Sequence, residues 1–391
     1  MKPALLIFFC VIMFNSYAQQ PITPQKDVNG YFSFQVGNTF FQVNPNHGAR
    51  ITSHKLDGSE FLWVSNKIED MYGSTCWLSP QSLWGWPPQK QIDTDPYTGG
   101  ISGNKVILTS GLATAGNVKF QIRKTFSANL QDSSVSIMYT IINKSTAARS
   151  YAVWEIMRVP TGGLSLFPVT GSITGDLAPF FNIQDGIAFW DYDSTENNMN
   201  KAFADGNGGW LAHVNNTRLI QIKKFPDTQS NFPASSEKEI EFYAESNMNY
   251  NEIEKHTDYK LIPVEDSSSM AMTWFLRKLP DNIPVKEGSS QLVDYVLSVL
   301  NSSANYIKTS PSPDITFTVY PNPSLGEIEF HGPETAQNIS FTLMNILGEK
   351  VKQATVSSGE KIQLGTLHNG IYLYKLQSEG IIYTGKLIIR D

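Results

Sequence analysis

Short runs of alternating apolar and polar residues dominate this chain from Asn29 onward. Phe32 to Val36, Phe40 to Val43, Val106 to Thr109, Lys119 to Phe126, Val135 to Ile142, Gly209 to Val214, Leu219 to Lys223 and Ile240 to Ala244 all follow a period of two. Successive side chains of a β-strand point to opposite faces, so each run buries one face and wets the other. The Gly, Asn, Asp and Pro residues between runs supply the turns of antiparallel connections. Helices should be scarce. From roughly Gly30 to Leu300 no linker of Ser, Gly or Pro breaks the pattern, which predicts one large sandwich of two stacked sheets rather than two small domains. Gly206-Asn207-Gly208-Gly209 precedes a strand rather than a helix, so it reads as a hairpin turn and not as a phosphate cradle.

The first residues carry a different signal. Lys2, the apolar stretch Ala4 to Phe14, and Ser16, Tyr17 and Ala18 before Gln19 predict a secretory signal peptide over residues 1–18. Cys10 lies inside the apolar run, so a lipid anchor is not expected. Removal of that segment leaves Cys76 alone, which rules out an intramolecular disulfide. No later segment approaches the ~18 consecutive apolar residues that span a bilayer. A net charge of -6 with no Lys or Arg run offers no footprint for nucleic acid or an anionic membrane surface.

The main domain is expected over residues 19–300. A polar, Pro-bearing stretch at 301–313, with Ser302, Ser303, Thr309, Ser310, Pro311, Ser312 and Pro313, reads as a linker. Residues 314–391 begin new alternation at Ile315 to Tyr320 and resume it at Glu327 to Phe330, Ser340 to Asn345, Ile371 to Gln377 and Ile381 to Ile389. That length suits a small β-sandwich of about seven strands. Val319-Tyr320-Pro321-Asn322-Pro323, Leu343-Met344-Asn345-Ile346-Leu347-Gly348-Glu349-Lys350-Val351, Leu367-His368-Asn369-Gly370-Ile371-Tyr372 and Tyr383-Thr384-Gly385-Lys386-Leu387-Ile388-Ile389 make this segment resemble the type A C-terminal sorting domain of the type IX secretion system. The resemblance implies that machinery as a partner, export across the outer membrane, and release or attachment at the cell surface.

Several chemistries have no signature. The six histidines (47, 54, 213, 256, 331, 368) form no HxH or HExxH pair, so no metal site is expected. There is no GxSxG elbow, and Cys76 has no histidine near it in sequence.

Three clusters remain. Trp84-Gly85-Trp86-Pro87-Pro88, with Asp93 following, cannot form regular structure. Its tryptophans either make a stacking platform for a sugar ring or plug one end of the sandwich. Trp154-Glu155-Ile156-Met157-Arg158 reads as a strand with Glu155 and Met157 on one face and Trp154, Ile156 and Arg158 on the other. Glu155 is an acid for proton transfer if its face is the concave one, and a solvated strand residue otherwise. His213 shares a face with Leu211 and is a second candidate acid or a core histidine. Glu252 and Glu254 share a face roughly 7 Å apart, as a base with an orienting partner, a cation site beside His256, or an exposed acidic edge.

Gly48-Ala49-Arg50-Ile51, Leu56-Asp57-Gly58-Ser59-Glu60-Phe61-Leu62, Ile142-Asn143, Glu252-Ile253-Glu254, Leu261-Ile262-Pro263 and Met272-Thr273-Trp274 together resemble the galactose mutarotase-like superfamily. The tryptophan motifs point to an uncharacterised branch of it. The resemblance implies an all-β chain: a large antiparallel supersandwich with a carbohydrate in its concave face, ahead of the small C-terminal β-sandwich. It also implies, for aldose 1-epimerases, a His acid and a Glu base. Glu252 or Glu254 stands for the base; near Trp154 and Glu155, where the acid falls, there is no histidine, so Glu155 or His213 would replace it. Arg50, Trp84, Trp86, Asp93 and Arg158 are the expected saccharide contacts.

The expected function is thus a secreted carbohydrate-binding protein with epimerase-type acid/base chemistry, or else a non-catalytic glycan-binding or cell-surface module. No cofactor is expected, with a structural calcium ion as the one alternative kept open. The two readings separate on whether Glu155, His213 and the Glu252/Glu254 pair meet in one pocket under Trp84 and Trp86.

Overall fold

The computed structural model describes residues 21–65, 71–191, 201–229, 231–244, 249–304, 318–331, 339–345, 350–378 and 381–390. The expected signal peptide and residues 305–313 of the expected linker lie outside them. The chain forms two compact units that divide between Asn305 and Tyr306.

In the first unit the alternating runs form two large antiparallel sheets. The first sheet runs Phe32–Val36, Thr39–Asn44, Arg50–Leu56, Ser74–Ser79, Arg149–Pro160, Tyr250–His256, Ile240–Ala244 and Lys201–Gly206, and ends on the distal half of Leu164–Thr174. The second runs Thr98–Ser102, Lys105–Thr109, Val118–Asn129, Ser134–Asn143, Ser267–Lys278, Leu219–Lys224 and Trp210–Val214, then the proximal half of Leu164–Thr174 and Ile187–Asp191. Leu164–Thr174 therefore joins both sheets. This arrangement corrects the hairpin reading of Gly206 to Gly209. The strands on either side of that turn do not pair with each other, because the chain crosses there from one sheet to the other.

The inward faces interlock through large aromatic side chains. Phe41 from the first sheet meets Phe126 at 5.9 Å and Trp274 edge-on at 6.3 Å, both from the second, and all three are buried. Each such side chain withdrawn from water contributes on the order of 1.5–3 kcal/mol. Polar groups also enter this layer, and some of them find partners there. The Lys124 ammonium donates to the Gly48 carbonyl at 2.7 Å and to Thr75 Oγ1 at 3.2 Å. Satisfying buried polar groups in this way avoids the desolvation penalty of leaving them unpaired.

The outer face of the second sheet is covered by a helix, Ser290–Ala304, which the alternation does not foreshadow. Leu292, Val296, Val299 and Leu300 recur at helical spacing and pack on Leu164, Leu166, Trp210, Ile220 and Ile222. The Ser289 hydroxyl accepts from the Leu292 N–H at 3.3 Å and caps the first turn. Burial of Val299 and Leu300 carries helical order past Asn301, where the polar stretch begins.

The second unit holds a three-stranded sheet (Thr318–Tyr320, Glu327–His331, Lys361–Gln363) and a four-stranded one (Lys350–Val356, Ile339–Met344, Gly370–Ser378, Ile381–Ile389). They share a core of Ile328, Phe330, Phe341, Leu343 and Leu387. The chain is all-β in class, a large antiparallel sandwich followed in sequence by a small one.

Candidate functional site

The Arg149–Pro160 strand sits near the centre of the first sheet and organises its outer face. Its residues Trp154, Ile156 and Arg158 alternate outward while Glu155 points inward. Pairing then lines up Trp77, Trp154 and His256 in one row across three strands, and Ile156, Glu254 and Glu241 in the next. The Trp77 and Trp154 rings meet edge-on at 5.1 Å, and His256 stacks on Trp154 at 5.1 Å. The Trp154 indole N–H donates to Glu254 Oε2 at 2.7 Å. One row further, Arg158 pairs with Glu252 at 2.6 Å while its guanidinium lies over the Trp77 and Tyr250 rings. Tyr250 in turn stacks with Trp63 at 6.2 Å. Trp63, Trp77, Trp84, Trp86 and Trp154, five of the chain's eight tryptophans, thus gather on or beside this face.

The loop after Ser74–Ser79 treats its two tryptophans differently. Trp84 is half-buried; its indole N–H donates to the Leu78 carbonyl at 2.8 Å and its ring packs against both Trp77 and Trp154. It therefore plugs the loop against the sheet. Trp86 rests edge-on against Trp77 at 5.8 Å and remains 60% exposed, so its face is free to stack.

Arg50 and Asp93 depart from the expected saccharide contacts. Both are buried and bound to each other at 2.9 Å, and Asp93 also accepts the Trp77 indole N–H at 2.8 Å. Arg50 donates to the Tyr72 carbonyl at 2.9 Å and covers the Tyr72 ring. Through these bonds the pair holds Trp77 in place. Gly48 makes this possible: at φ +62° it lets the chain pass the Asp93 carbonyl, with which any Cβ would collide. Arg158 is likewise buried, and it positions Glu252 from beneath rather than facing solvent.

Beside the aromatics lies an acidic corner. Glu241 and Glu254, paired across neighbouring strands, share the Lys201 ammonium at 2.7 and 3.4 Å. Burial pushes both carboxyls up to about 8 against the pull of Lys201, and each is raised further by the acidic groups around it. For Lys201 burial opposes the charge, but Glu254 and Glu241 outweigh it and raise its pKa. Glu237 reaches the same corner and lines a cleft of about 300 Å³ with Thr174, Phe203 and the 233–238 segment.

Glu155 and His213 do not join this constellation. Glu155 points between the sheets and pairs with Lys223 at 2.7 Å while accepting from Ser74 at 3.0 Å. His213 is buried with Nδ1 2.9 Å from the Ser165 hydroxyl and its edge against Phe61. Burial pushes its pKa down to about 3, so it stays neutral. Both belong to the interior because the opposing sheet covers their faces. Of the expected acid/base set, only Glu252 and Glu254 lie on the outer face.

The residues not foreseen as site members are Trp77, Glu237, Glu241 and Lys201. Period two in Ile240 to Ala244 does carry a signal for Glu241, since Ile240, Phe242 and Ala244 take the opposite face, in the hydrophobic core. Its pairing with Glu254 could not be read from either strand alone.

Comparison with solved structures finds similar chains at low identity. A galactose mutarotase-like protein from Lactobacillus casei is similar with a TM-score of 0.47 and 12% identity over 63% of this chain and 100% of its own. A galactose mutarotase related enzyme from Lactobacillus acidophilus is similar with a TM-score of 0.47 and 9% identity over 66% of this chain and 99% of its own. A TPR-domain containing protein from Parabacteroides distasonis is similar with a TM-score of 0.48 and 11% identity, over 66% of this chain and 49% of its own. No curated protein sequence matches the chain. The second unit has a family match over residues 318–390, and that segment is a secretion system C-terminal sorting domain, which marks the chain for export.

Proposed function

We propose that this chain is an exported carbohydrate-binding protein that seats a saccharide on the outer face of its first sheet. The observation that carries this reading is the Trp86 indole, open to solvent and braced by Trp77, on the face that also presents Glu252 and Tyr250. A sugar ring offers an apolar C–H face to an indole and hydroxyls to a carboxylate, so these groups together supply both halves of saccharide recognition. Arg50, Asp93 and Arg158 support the site by holding Trp77 and Glu252 still, which lowers the cost of ordering them on binding.

Binding without turnover is the reading favoured over epimerase-type catalysis. The acid that Glu155 or His213 would have supplied is on the wrong side of the sheet, bound to Lys223 and Ser165 respectively. The sorting domain supports delivery outside the cell, with the type IX machinery as the partner and the expected signal peptide as the first export step.

A glycan array with the full-length secreted protein tests the proposal. It should retain a defined class of saccharide, and NMR of anomer interconversion should show only the buffer rate with every sugar retained. Failure to retain any glycan sinks the binding reading; accelerated interconversion restores the catalytic one.

A further inference from the structure

The corner around His256 gathers more carboxyl groups than its neighbours pair. Glu237, Glu241 and Glu254 converge there, and Lys201 is the one ammonium that contacts them among the described residues. Other charges nearby are already matched, Glu252 by Arg158 and Glu239 by Lys255 at 2.8 Å. Three carboxyl groups thus share one ammonium, in a place where Glu241 and Glu254 are shut off from water. Glu237 and Glu241 bring carboxylate oxygens within 4.8 Å of each other, a spacing that a cation between them would bridge.

The histidine supplies a second, independent indication. His256 is fully buried, its ring held by the stack on Trp154 and by Nδ1 at 3.3 Å from the Ser79 hydroxyl. Its Nε2 aims into the carboxylates and has no hydrogen-bond partner. Nε2 stands 3.4 Å from Glu241 Oε1 and 3.8 Å from Glu237 Oε2, and one ligand atom from each of these three residues lies within 4.8 Å of the others. Ligands about 2.1 Å from a tetrahedral ion stand roughly 3.4 Å apart, so small adjustments would close the set.

We propose that Glu237, Glu241 and His256 bind a divalent transition-metal ion of the zinc type. A divalent ion displaces any proton held on its carboxyl ligands and compensates their charge, and the imidazole ligand selects such an ion over calcium or magnesium, which prefer oxygen. Lys201 and Ser79 act as outer partners that orient Glu241 and His256. Glu237 lines the cleft of about 300 Å³, through which an ion can enter and from which a further ligand can reach it. The proposal stands independently of saccharide binding.

The test uses the full-length protein stripped with chelator and then titrated with Zn²⁺ by calorimetry and with Co²⁺ by visible absorption. One equivalent should bind, with Co²⁺ bands of tetrahedral or five-coordinate intensity, and equimolar Ca²⁺ should not displace it. Glu237→Gln, on the cleft lining, should weaken binding at least tenfold with an unchanged circular dichroism spectrum, and His256→Gln should abolish it. No uptake by the wild-type protein, displacement by Ca²⁺, or uptake unaltered in Glu237→Gln would overturn the assignment.

Discussion

The Glu155 carboxylate on one sheet meets the Lys223 ammonium on the other at 2.7 Å, and neither side chain reaches water. Burial raises the Glu155 pKa and lowers that of Lys223, and their contact counters both shifts. Removing one partner strands the other, so Glu155→Leu or Lys223→Met alone should cost about 3–5 kcal/mol. The double variant should recover most of that loss. Urea denaturation of the four proteins checks the cycle; a double variant as unstable as the sum of the singles would show that the pair is not the interaction lost.

Trp86→Ala should weaken saccharide affinity by about 1–3 kcal/mol and leave the denaturation midpoint unchanged, because its ring is 60% exposed and rests edge-on against Trp77. Trp84→Ala should do the reverse first, lowering stability by about 2–4 kcal/mol as the space it fills against Trp77 and Trp154 empties. Calorimetric titration and thermal melts on both variants separate the roles. Equal effects on affinity and stability would argue against them.

Acid should destabilise the first unit through His213, and the sign follows from its lowered pKa. The unfolded histidine takes up a proton near 6.5, whereas the folded one, buried and near Lys223, resists until about 3. Its contribution is therefore fully present above about 6.5 and is lost as pH falls towards about 3, at up to ~1.4 kcal/mol per pH unit. His213→Gln should be less stable at neutral pH and show a shallower decline on acidification. An identical slope in both proteins would place the acid sensitivity elsewhere.

Ending the chain at Asn305 removes the sorting domain at the boundary between the two compact units. The truncated protein should keep the cooperative unfolding of the first unit, whose core is built without the deleted residues, and should accumulate within the cell envelope. Cell fractionation with immunoblotting measures the distribution. Normal export of the truncated chain would remove the export role assigned to residues 318–390.

Period-two alternation was enough, by itself, to determine that this chain folds into antiparallel sheets. The turn and strand motifs from Val319 to Ile389 were enough to identify a sorting domain. Both are local properties, set by how successive side chains point and by which residues tolerate turns. The opposition of Glu155 to Trp154 and Arg158 was legible for the same reason. Which of the two faces another sheet would cover was not, since that depends on strands such as Leu219–Lys224 far away in sequence. His213 is interior, and Arg50 and Asp93 serve Trp77, through contacts between segments that carry no mark of one another. The meeting of Lys201, Glu241, Glu254 and His256 is likewise a product of register across three strands. Alternation tells a strand it has two sides; only the packed sandwich decides which one faces water.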